Sequence, residues 1–466
     1  MGIVNRVFEL DERETTVRRE ILGGITTFMA LSYIIFVQPA MLAEAGTQGN
    51  PFPPGGILIA TCVGSAFACV LMAFLANYPI ALAPAMGHNV FFTYTVCLGM
   101  GYSWQQGLTA VFIGGCVFLV LSAFGFRAKI MEIIPDSLKH AIAGGIGLLL
   151  TLIGMEYAGL VVDAPGVLVK FGDIHDPYTL LAVFGLAVTL MMMALKVRGA
   201  ILIGIILTAV VGCLSTALGY DLLDYHQLSS YSDLGGGQTF FALDFRGLFS
   251  GGGESGGVAG FLAAGGPVTV ILTFLFLDVF DTVGTLVGVS ERAGLMEDGK
   301  LPGARAALFS DSAGTVVGSV LGTSTITSYV ESAAGVQAGA RTGLANLVTA
   351  ACFLGAILFY PFLGIVASEA GGEGSGLYPV IAPALIAVGA MMITSIRDLD
   401  WDDPTELIPA FLTLVFMPFT VSITEGIAVG FIAYSGLKLV TGRGEEVHWG
   451  LHLVALALLA RYVFLM

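Results

Sequence analysis

The sequence predicts an all-α polytopic membrane protein with about fourteen transmembrane segments. Of its 466 residues, 56% are hydrophobic and only 11% are charged, whereas soluble globular proteins carry about 25% charged residues. The mean hydropathy is +0.89, and several apolar runs reach the roughly 20 residues that span the hydrocarbon of a bilayer. Only helices can supply so many spans, because each must satisfy its backbone hydrogen bonds internally.

The apolar runs are separated by polar or Gly/Pro-rich joints, and these joints place the segment boundaries. The fourteen predicted segments are 21–45, 56–77, 81–97, 106–126, 138–158, 178–196, 200–218, 266–288, 304–322, 325–340, 342–367, 377–395, 405–421 and 423–441.

Basic residues fix the orientation, because Lys and Arg concentrate in cytoplasmic loops. With fourteen spans, nearly all of them fall on the side of the amino terminus, and only Lys170 and Arg246 fall opposite, with Arg461 unassigned. We therefore expect a protein of the cytoplasmic (plasma) membrane with both termini cytoplasmic. The residues on the predicted cytoplasmic side are Arg6, Arg13, Arg18, Arg19, Arg127, Lys129, Lys139, Lys196, Arg198, Arg292, Lys300, Arg305, Arg341, Arg397, Lys438 and Arg443.

A long acidic loop divides the chain into two sets of seven spans. An odd number of spans per half forces the second half to insert upside down, which is the topology of inverted-repeat transporters. We expect residues 1–20 to form a cytoplasmic amino terminus, residues 21–218 the first repeat, residues 219–265 an extracytoplasmic linker and residues 266–441 the second repeat. The remaining tail, 442–466, predicts an interfacial helix, with a fifteenth span as the alternative.

Two segments are short and interrupted, and each is the third of its own half. The third segment reads ALAPAMGHNVFFTYTV, with Pro84 and Gly87 near its start, and the tenth reads GTSTITSYVESAAGVQAG. Each holds a polar residue soon after the break, Asn89 and Glu331 respectively. Interrupted segments at corresponding positions indicate the binding site of such carriers, so we expect these two to meet near the midplane.

The eighth segment, TVILTFLFLDVFDTVGTLVG, carries two carboxylates inside an apolar run. Asp278 and Asp281 are three residues apart, so both can face one cavity. Ionisable residues at this depth cost roughly 2.5–3.5 kcal/mol each on insertion scales and are functional by default. The alternative is that each acid only forms a structural ion pair with a cation. It is weakened because no Lys or Arg lies within the eighth or tenth segment.

The stretches APAMGHNVFF, FLFLDVFDTVGTLVGVSERAG and GTSTITSYVESAAGV resemble the AzgA-like purine permeases of the nucleobase:cation symporter-2 family. The resemblance covers nearly the whole chain. It implies two inverted seven-segment repeats arranged as core and gate domains, often as a homodimer, and proton-coupled uptake of hypoxanthine, guanine or adenine. It also implies binding residues at Asn89, at Asp278 and Asp281, and at Glu331. Uracil permeases have a histidine about one turn beyond the acid, where this chain has Thr285.

The chemistry of a purine suits these residues. A carboxylate accepts two parallel N–H bonds, an amide such as Asn89 offers a donor and an acceptor, and the rings of Phe91 and Tyr329 can stack on the base. One buried acid would recognise the base while another, among Asp278, Asp281 and Glu331, carries the coupling proton. Which purine is preferred, whether protons or sodium ions couple, and which aspartate carries the proton stay open.

Three other classes compete with this interpretation. An intramembrane aspartyl protease would need its acids on facing helices and a GxGD motif, which the sequence lacks. A sulfate-type anion carrier or channel of the same general fold would need a cation at the site rather than three acids. A receptor on a transporter scaffold can be excluded only by measuring flux. The net charge of −15 argues against nucleic acid, and the six scattered cysteines indicate neither a metal site nor a cofactor.

Overall fold

A computed structural model describes residues 2–124, 135–220, 236–250, 266–293, 303–372 and 375–464, with isolated positions 222–223, 229–231, 234, 295 and 301. The linker residues 251–265 and the basic residues Arg127, Lys129 and Lys300, on which the predicted orientation partly rests, lie outside the described residues. The same holds for the side chains of Arg292 and Arg461.

The first half of the chain consists of helices joined by short loops, with three short strands. Its elements are α1 (Gly2–Phe8), α2 (Val17–Leu31), α3 (Ile34–Ala43), α4 (Pro54–Leu71) with a π-helical end (Met72–Ala76), β1 (Leu82–Pro84), α5 (Met86–Val90) continued by a π-helix (Phe91–Gly99), α6 (Trp104–Phe124), α7 (Asp136–Tyr157), β2 (Val161–Ala164), β3 (Val167–Phe171), α8 (Pro177–Ala194) and α9 (Ala200–Ala217).

The linker and the second half follow the same plan with one strand. Their elements are α10 (Gly236–Thr239), α11 (Phe245–Ser250), α12 (Pro267–Arg292), α13 (Ala304–Leu321), β4 (Ile326–Ser328), α14 (Ser332–Gln337), α15 (Gly343–Ala356) with a 3-10 end (Ile357–Phe362), α16 (Leu363–Val366), α17 (Ala382–Met392) with a 3-10 end (Ile393–Asp398), α18 (Pro404–Thr420), α19 (Ile423–Val440), a 3-10 turn (Gly444–Glu446) and α20 (Trp449–Phe464).

The helix lengths confirm the all-α membrane fold class. Within the described residues, eight helices or joined helices are long and apolar enough to cross a membrane. The helices that begin at Pro267, Ala382 and Pro404 supply three further apolar elements, and the more polar α13 lies between the eighth and tenth segments. Together with the two interrupted segments they account for the fourteen predicted segments.

The helices pack as two bundles, as expected of a core and a gate domain. The core domain joins 17–124 to 267–366, where α4 and α6 pack against α13 and α2 packs against α15. The gate domain joins 136–217 to 382–440, where α7 lies between α17 and α18. Each bundle therefore draws on both halves of the chain. The bundles meet where α5 and α12 approach α7 and where α2 approaches α9.

The two interrupted segments meet inside the core domain, as the sequence predicts, but each begins as a strand rather than a helix. β1 and β4 pair antiparallel, with Leu82 opposite Ser328 and Pro84 opposite Ile326. Flanking bonds extend the ladder, since Ala85 N–H donates to the Thr325 carbonyl at 2.9 Å. The pairing satisfies backbone groups that an interrupted membrane helix would leave open.

Two glycines permit this crossing. Gly322 ends α13 with φ +107°, a conformation that a side chain rarely adopts, and so turns the chain into β4. Gly87 lies where a Cβ atom would come within 2.9 Å of Ile146 in α7. The first glycine therefore starts the tenth segment, and the second lets the third segment approach the gate domain.

Two surface features complete the fold. β2 and β3 form a hairpin after α7, which the sequence analysis did not anticipate; its turn contains Gly166 at φ +86°. In the tail, α20 packs along α19, and Ser435 is hydrogen-bonded to His452 at 2.6 Å. The helix expected in the tail is thus present, and its interfacial location stays a prediction.

Candidate functional site

A buried amide network holds the crossing of the interrupted segments together. Gln38 of α3 donates to the hydroxyls of Thr323 (2.9 Å) and Ser324 (3.2 Å). The Asn89 amide donates to the Gln38 side-chain oxygen, and its own oxygen accepts from Ser324. Both amides are completely buried. The side chain of Asn89, predicted as a ligand contact, is therefore engaged by protein groups from both halves of the chain.

Next to the crossing lie the two predicted carboxylates Asp281 and Glu331. Asp281 projects from α12 with 32% of its side chain exposed, and Glu331 directly precedes α14 and is partly exposed. The two lie close enough for their charges to interact. Tyr33, at the start of α3, donates a 3.0 Å hydrogen bond to Glu331 Oε1. The structure thus brings acids from the eighth and tenth segments to one partly open place.

Tyr329 braces this group of side chains. Its hydroxyl donates to the carbonyl of Pro84, and it interacts with the Tyr33 hydroxyl and with both acids. Only 6% of the residue is exposed. Its side chain therefore lies beside the two carboxylates and is fixed to β1, and its predicted stacking on a ligand stays untested.

A histidine that the sequence analysis did not select completes the arrangement. His88, in α5, is 2% exposed, and its Nδ1 lies 4.0 Å from Asp281 Oδ2. Its other ring nitrogen, Nε2, is buried with no hydrogen-bond partner among the described residues. Of the neighbours Gly87, His88 and Asn89, it is the histidine that faces the acid on α12.

The two aspartates of the eighth segment differ in environment. Asp278 is only 2% exposed, whereas Asp281 is open by about a third. Of the two, Asp281 alone has a substantially exposed side chain, and the prediction that both face one cavity stays untested. Three residues on a helix separate side chains by about 60°, which is enough to put one acid inside the bundle.

A third carboxylate supports β4 from behind. Asp311 of α13 is fully buried; it accepts from the Thr282 hydroxyl at 2.8 Å and from Ser328 N–H at 3.1 Å. Thr282 is also 2.7 Å from the Thr327 hydroxyl. Thr285, where uracil permeases have a histidine, bonds the Ser328 hydroxyl. This face of α12 is used to hold the strand.

The last predicted site residue, Phe91, lies away from any open surface. It is completely buried, and its ring meets Phe274 edge-on at 4.8 Å between centroids. The structure therefore does not bring Phe91 to the carboxylates as an exposed stacking partner. Its predicted contact with a ligand stays untested.

Sequence reasoning missed Tyr33, Gln38 and His88. A signal existed for Gln38, which is a polar residue inside the apolar stretch IIFVQPAMLA, and for His88, which adjoins Asn89 in an apolar segment. Tyr33 gave none, because a tyrosine in a membrane span is ordinary. Only its distance to Glu331 identifies it.

A second group of hydrogen-bonded side chains, one carboxylate and two tyrosines, joins the core domain to the gate domain at the end opposite the amino terminus. Glu44, just after α3, accepts hydrogen bonds from Tyr94 at 2.9 Å and from Tyr157. The two hydroxyls are themselves 2.6 Å apart. Tyr94 belongs to the core domain and Tyr157 ends α7 of the gate domain, where it packs on Tyr378. These bonds hold the two domains together at that end.

Comparison with known proteins identifies the family. A model described as "Permease family" matches residues 18–429. The chain is 42% identical to the guanine/hypoxanthine permease PbuG of Bacillus subtilis (strain 168) over 98% of this chain and 99% of the relative. It is 38% identical to the adenine permease AdeP of Escherichia coli (strain K12) over 100% of this chain and 97% of the relative.

A solved structure shares the fold. The transmembrane domain of the cyanobacterial bicarbonate transporter BicA superposes with a TM-score of 0.59 at 14% identity, covering 88% of this chain and 96% of that domain. At this identity the likeness concerns the architecture alone. The chain itself belongs to the permease family and is an integral membrane transporter, not an enzyme.

Proposed function

We propose that this transporter imports purine nucleobases by proton symport, with guanine, hypoxanthine or adenine as substrate. The observation that carries the proposal is the pair of partly exposed carboxylates, Asp281 and Glu331, beside the strand crossing. A carboxylate matches the paired N–H donors on the edge of a purine. The names of relatives at 38–42% identity over nearly the full chain support the same class.

The site residues divide into three roles in this proposal. Glu331, held by Tyr33, recognises the base, and Tyr329 offers an aromatic surface beside it. Asp281 contacts the site and exchanges the proton, and Asp278 is the second candidate for the proton. Asn89, bonded to Gln38 and Ser324, is the proposed ligand contact from the third segment, and Phe91 is a proposed aromatic contact of the same ligand.

An anion carrier is the alternative that the BicA fold suggests. The anion carrier is disfavoured because, among the described residues, no Lys or Arg forms an ion pair with Asp281 or Glu331. The charged-group contact that Asp281 makes there is with His88. Two adjacent acids would repel an oxyanion. A neutral base that binds together with a proton meets no such repulsion.

The membrane arrangement is part of the proposal. We place the protein in the cytoplasmic membrane with both termini cytoplasmic, since the basic loops favour that side. We keep the repeat boundaries 21–218 and 266–441 on either side of the linker. A homodimer is proposed from the family resemblance.

Uptake by proteoliposomes tests the function. Purified protein is reconstituted, and labelled hypoxanthine, guanine and adenine are supplied with an imposed proton gradient, a sodium gradient or neither. Accumulation of a purine driven by a proton gradient alone supports the proposal. Accumulation that requires a sodium gradient would identify sodium, rather than the proton, as the coupling ion. Bicarbonate or sulfate flux without purine flux would contradict it. Asp402→Asn, an exposed loop acid, serves as the control for Asp281→Asn and Glu331→Gln.

A further inference from the structure

His88 carries a buried nitrogen that the folded protein leaves without a partner. The residue is 2% exposed, and Nε2 makes no hydrogen bond within the part of the chain that the structure describes. An unsatisfied buried polar group destabilises the folded protein, so its retention calls for an explanation. The location supplies one, because the other ring nitrogen faces Asp281 at 4.0 Å.

The carboxylate controls what Nε2 can do. A neutral imidazole has one donor and one acceptor nitrogen, and the bond made by one nitrogen sets the role of the other. Opposite an ionised Asp281, Nδ1 carries the hydrogen and Nε2 is an acceptor. Opposite a protonated Asp281, the acid donates to Nδ1 and Nε2 carries the hydrogen. This coupling requires a side-chain rotation that shortens the 4.0 Å separation to hydrogen-bond length.

The change between these states is balanced by one proton. The incoming proton binds Nε2, while the hydrogen on Nδ1 passes to Asp281 Oδ2. The pair gains one proton in total, and Nε2 changes from acceptor to donor. Release reverses both transfers.

We propose that His88 contacts the purine through Nε2, and that the protonation state of Asp281 decides whether Nε2 donates or accepts the hydrogen bond in that contact. This inference rests on the proposed function. With the proton loaded, Nε2–H suits a ring that carries an acceptor, such as the C6 carbonyl of hypoxanthine or guanine. With the proton absent, Nε2 suits a donor such as the C6 amino group of adenine. The preference between oxopurines and adenine therefore varies with pH.

The other titratable groups of the site must be separated from His88. Glu331 and Tyr329 interact with its partner Asp281, Tyr33 is bonded to Glu331, and Asp278 lies on the same helix as Asp281. The gate helix α7 presents an apolar side chain, Ile146, to the adjoining Gly87. A ratio of affinities for two bases cancels protonation effects that change both equally, so the ratio isolates the donor or acceptor at the contact.

The test measures that ratio on the purified full-length protein. Affinities for hypoxanthine and adenine are determined between about pH 5 and pH 8, because the pair of Asp281 and His88, rather than either residue alone, takes up the proton. In the wild type, the ratio should shift toward hypoxanthine by at least about threefold as the pH falls. His88→Leu should weaken both bases by about tenfold, the typical effect of losing one hydrogen bond, and should make the ratio independent of pH. His88→Gln should bind more tightly than His88→Leu with an equally flat ratio.

The controls distinguish this inference from its premise. His452→Gln removes a histidine bonded to Ser435 in the tail and should keep the wild-type profile. If gel filtration shows that His88→Leu does not fold, the pH dependence of the affinity ratio in His88→Gln alone tests the role of His88. A folded His88 variant with the wild-type pH profile overturns the role of His88, as does a wild-type ratio that ignores pH. A wild type that binds no purine overturns the proposed function as well.

Discussion

Tyr33 and Glu331, from the first and tenth segments, are joined by a 3.0 Å hydrogen bond from the phenol to Oε1. Tyr33 is buried and Glu331 is partly exposed, so one carboxylate oxygen is held by the protein. We assign the remaining hydrogen-bonding capacity of this carboxylate to a ligand. This bond fixes the direction of the acid that we assign to recognition.

Tyr33→Phe should therefore weaken purine binding by about tenfold, because a hydrogen bond to a charged group contributes about 1.5–3 kcal/mol and part of the loss is recovered by water. Glu331→Gln, which replaces an acceptor by a donor, should abolish high-affinity binding. Equilibrium binding to purified protein measures both. Tyr220→Phe, at a residue 72% exposed, is the control. An unchanged affinity in Glu331→Gln would remove Glu331 from the recognition role.

Asp281→Asn should separate exchange from accumulation. An amide can hold a hydrogen bond to the base but cannot release a proton, so labelled purine should still exchange across the proteoliposome membrane. Accumulation driven by a pH gradient should disappear. Asp278→Asn is measured alongside, because the buried acid is the second candidate. If both variants still concentrate purine with protons alone, neither aspartate couples transport.

Asn89→Ala should leave Gln38 and Ser324 without their shared partner. We expect purine affinity to fall by about 1–3 kcal/mol, the usual result of an unsatisfied buried group, together with a lower thermal unfolding midpoint. Asn50→Ala, which removes an amide bonded to Gln105 and Trp104, should leave affinity unchanged. Loss of stability in Asn89→Ala with full affinity in the folded fraction would show that Asn89 serves packing only.

Glu44→Gln and Tyr157→Phe should favour opening of the core and gate domains at the end where these side chains meet. Alternating access moves one bundle against the other, and each lost bond to the carboxylate contributes about 1.5–3 kcal/mol. The population with the domains apart at this end should rise by about tenfold or more. Distances between spin labels on the two domains report this, on a background with the native cysteines replaced. Distance distributions identical to those of the wild type would contradict it.

An ion pair at the ends of the gate helices, Asp403 with Arg443, predicts an acid limit to stability. Asp403, before α18, accepts a 2.6 Å bond from Arg443, and this bond lowers the pKa of the Asp403 carboxyl from 3.8 to about 2. A lowered pKa stabilises the fold above the unfolded value, and this stabilisation is lost as the pH falls from about 4 toward 2. The thermal unfolding midpoint in detergent should drop over that window. In Arg443→Gln the thermal unfolding midpoint should already be lower than that of the wild type at neutral pH, and it should fall by less as the pH is lowered over the same window.

The sequence predicts the parts of this fold that depend on local composition. Run lengths locate the fourteen segments, and Pro84 and Gly322 mark the two that are interrupted. The strand pairing of Leu82 with Ser328 could not be predicted, because three-residue strands leave no periodicity. The acids Asp281 and Glu331 were found because charge is rare in an apolar run. Their partners Tyr33 and His88 were not, since only the folded chain brings those residues near.

The same limit explains the difference between Asp278 and Asp281. Sequence spacing gives the angle between two side chains on a helix, and 60° leaves both acids on one face. It does not give the position of the boundary between the open surface and the packed interior. That boundary is set by the neighbouring helices and lies between the two residues.

The β1–β4 ladder has a consequence for how the protein is made. The strand Leu82–Pro84 pairs with Ile326–Ser328, roughly 240 residues later, which a ribosome adding about 5–20 residues per second reaches after about 10–50 s. During that interval the polar backbone of the third segment cannot be left exposed to lipid. The nascent first half must therefore be held by the insertion machinery, or keep this segment at the membrane surface, until the tenth segment emerges.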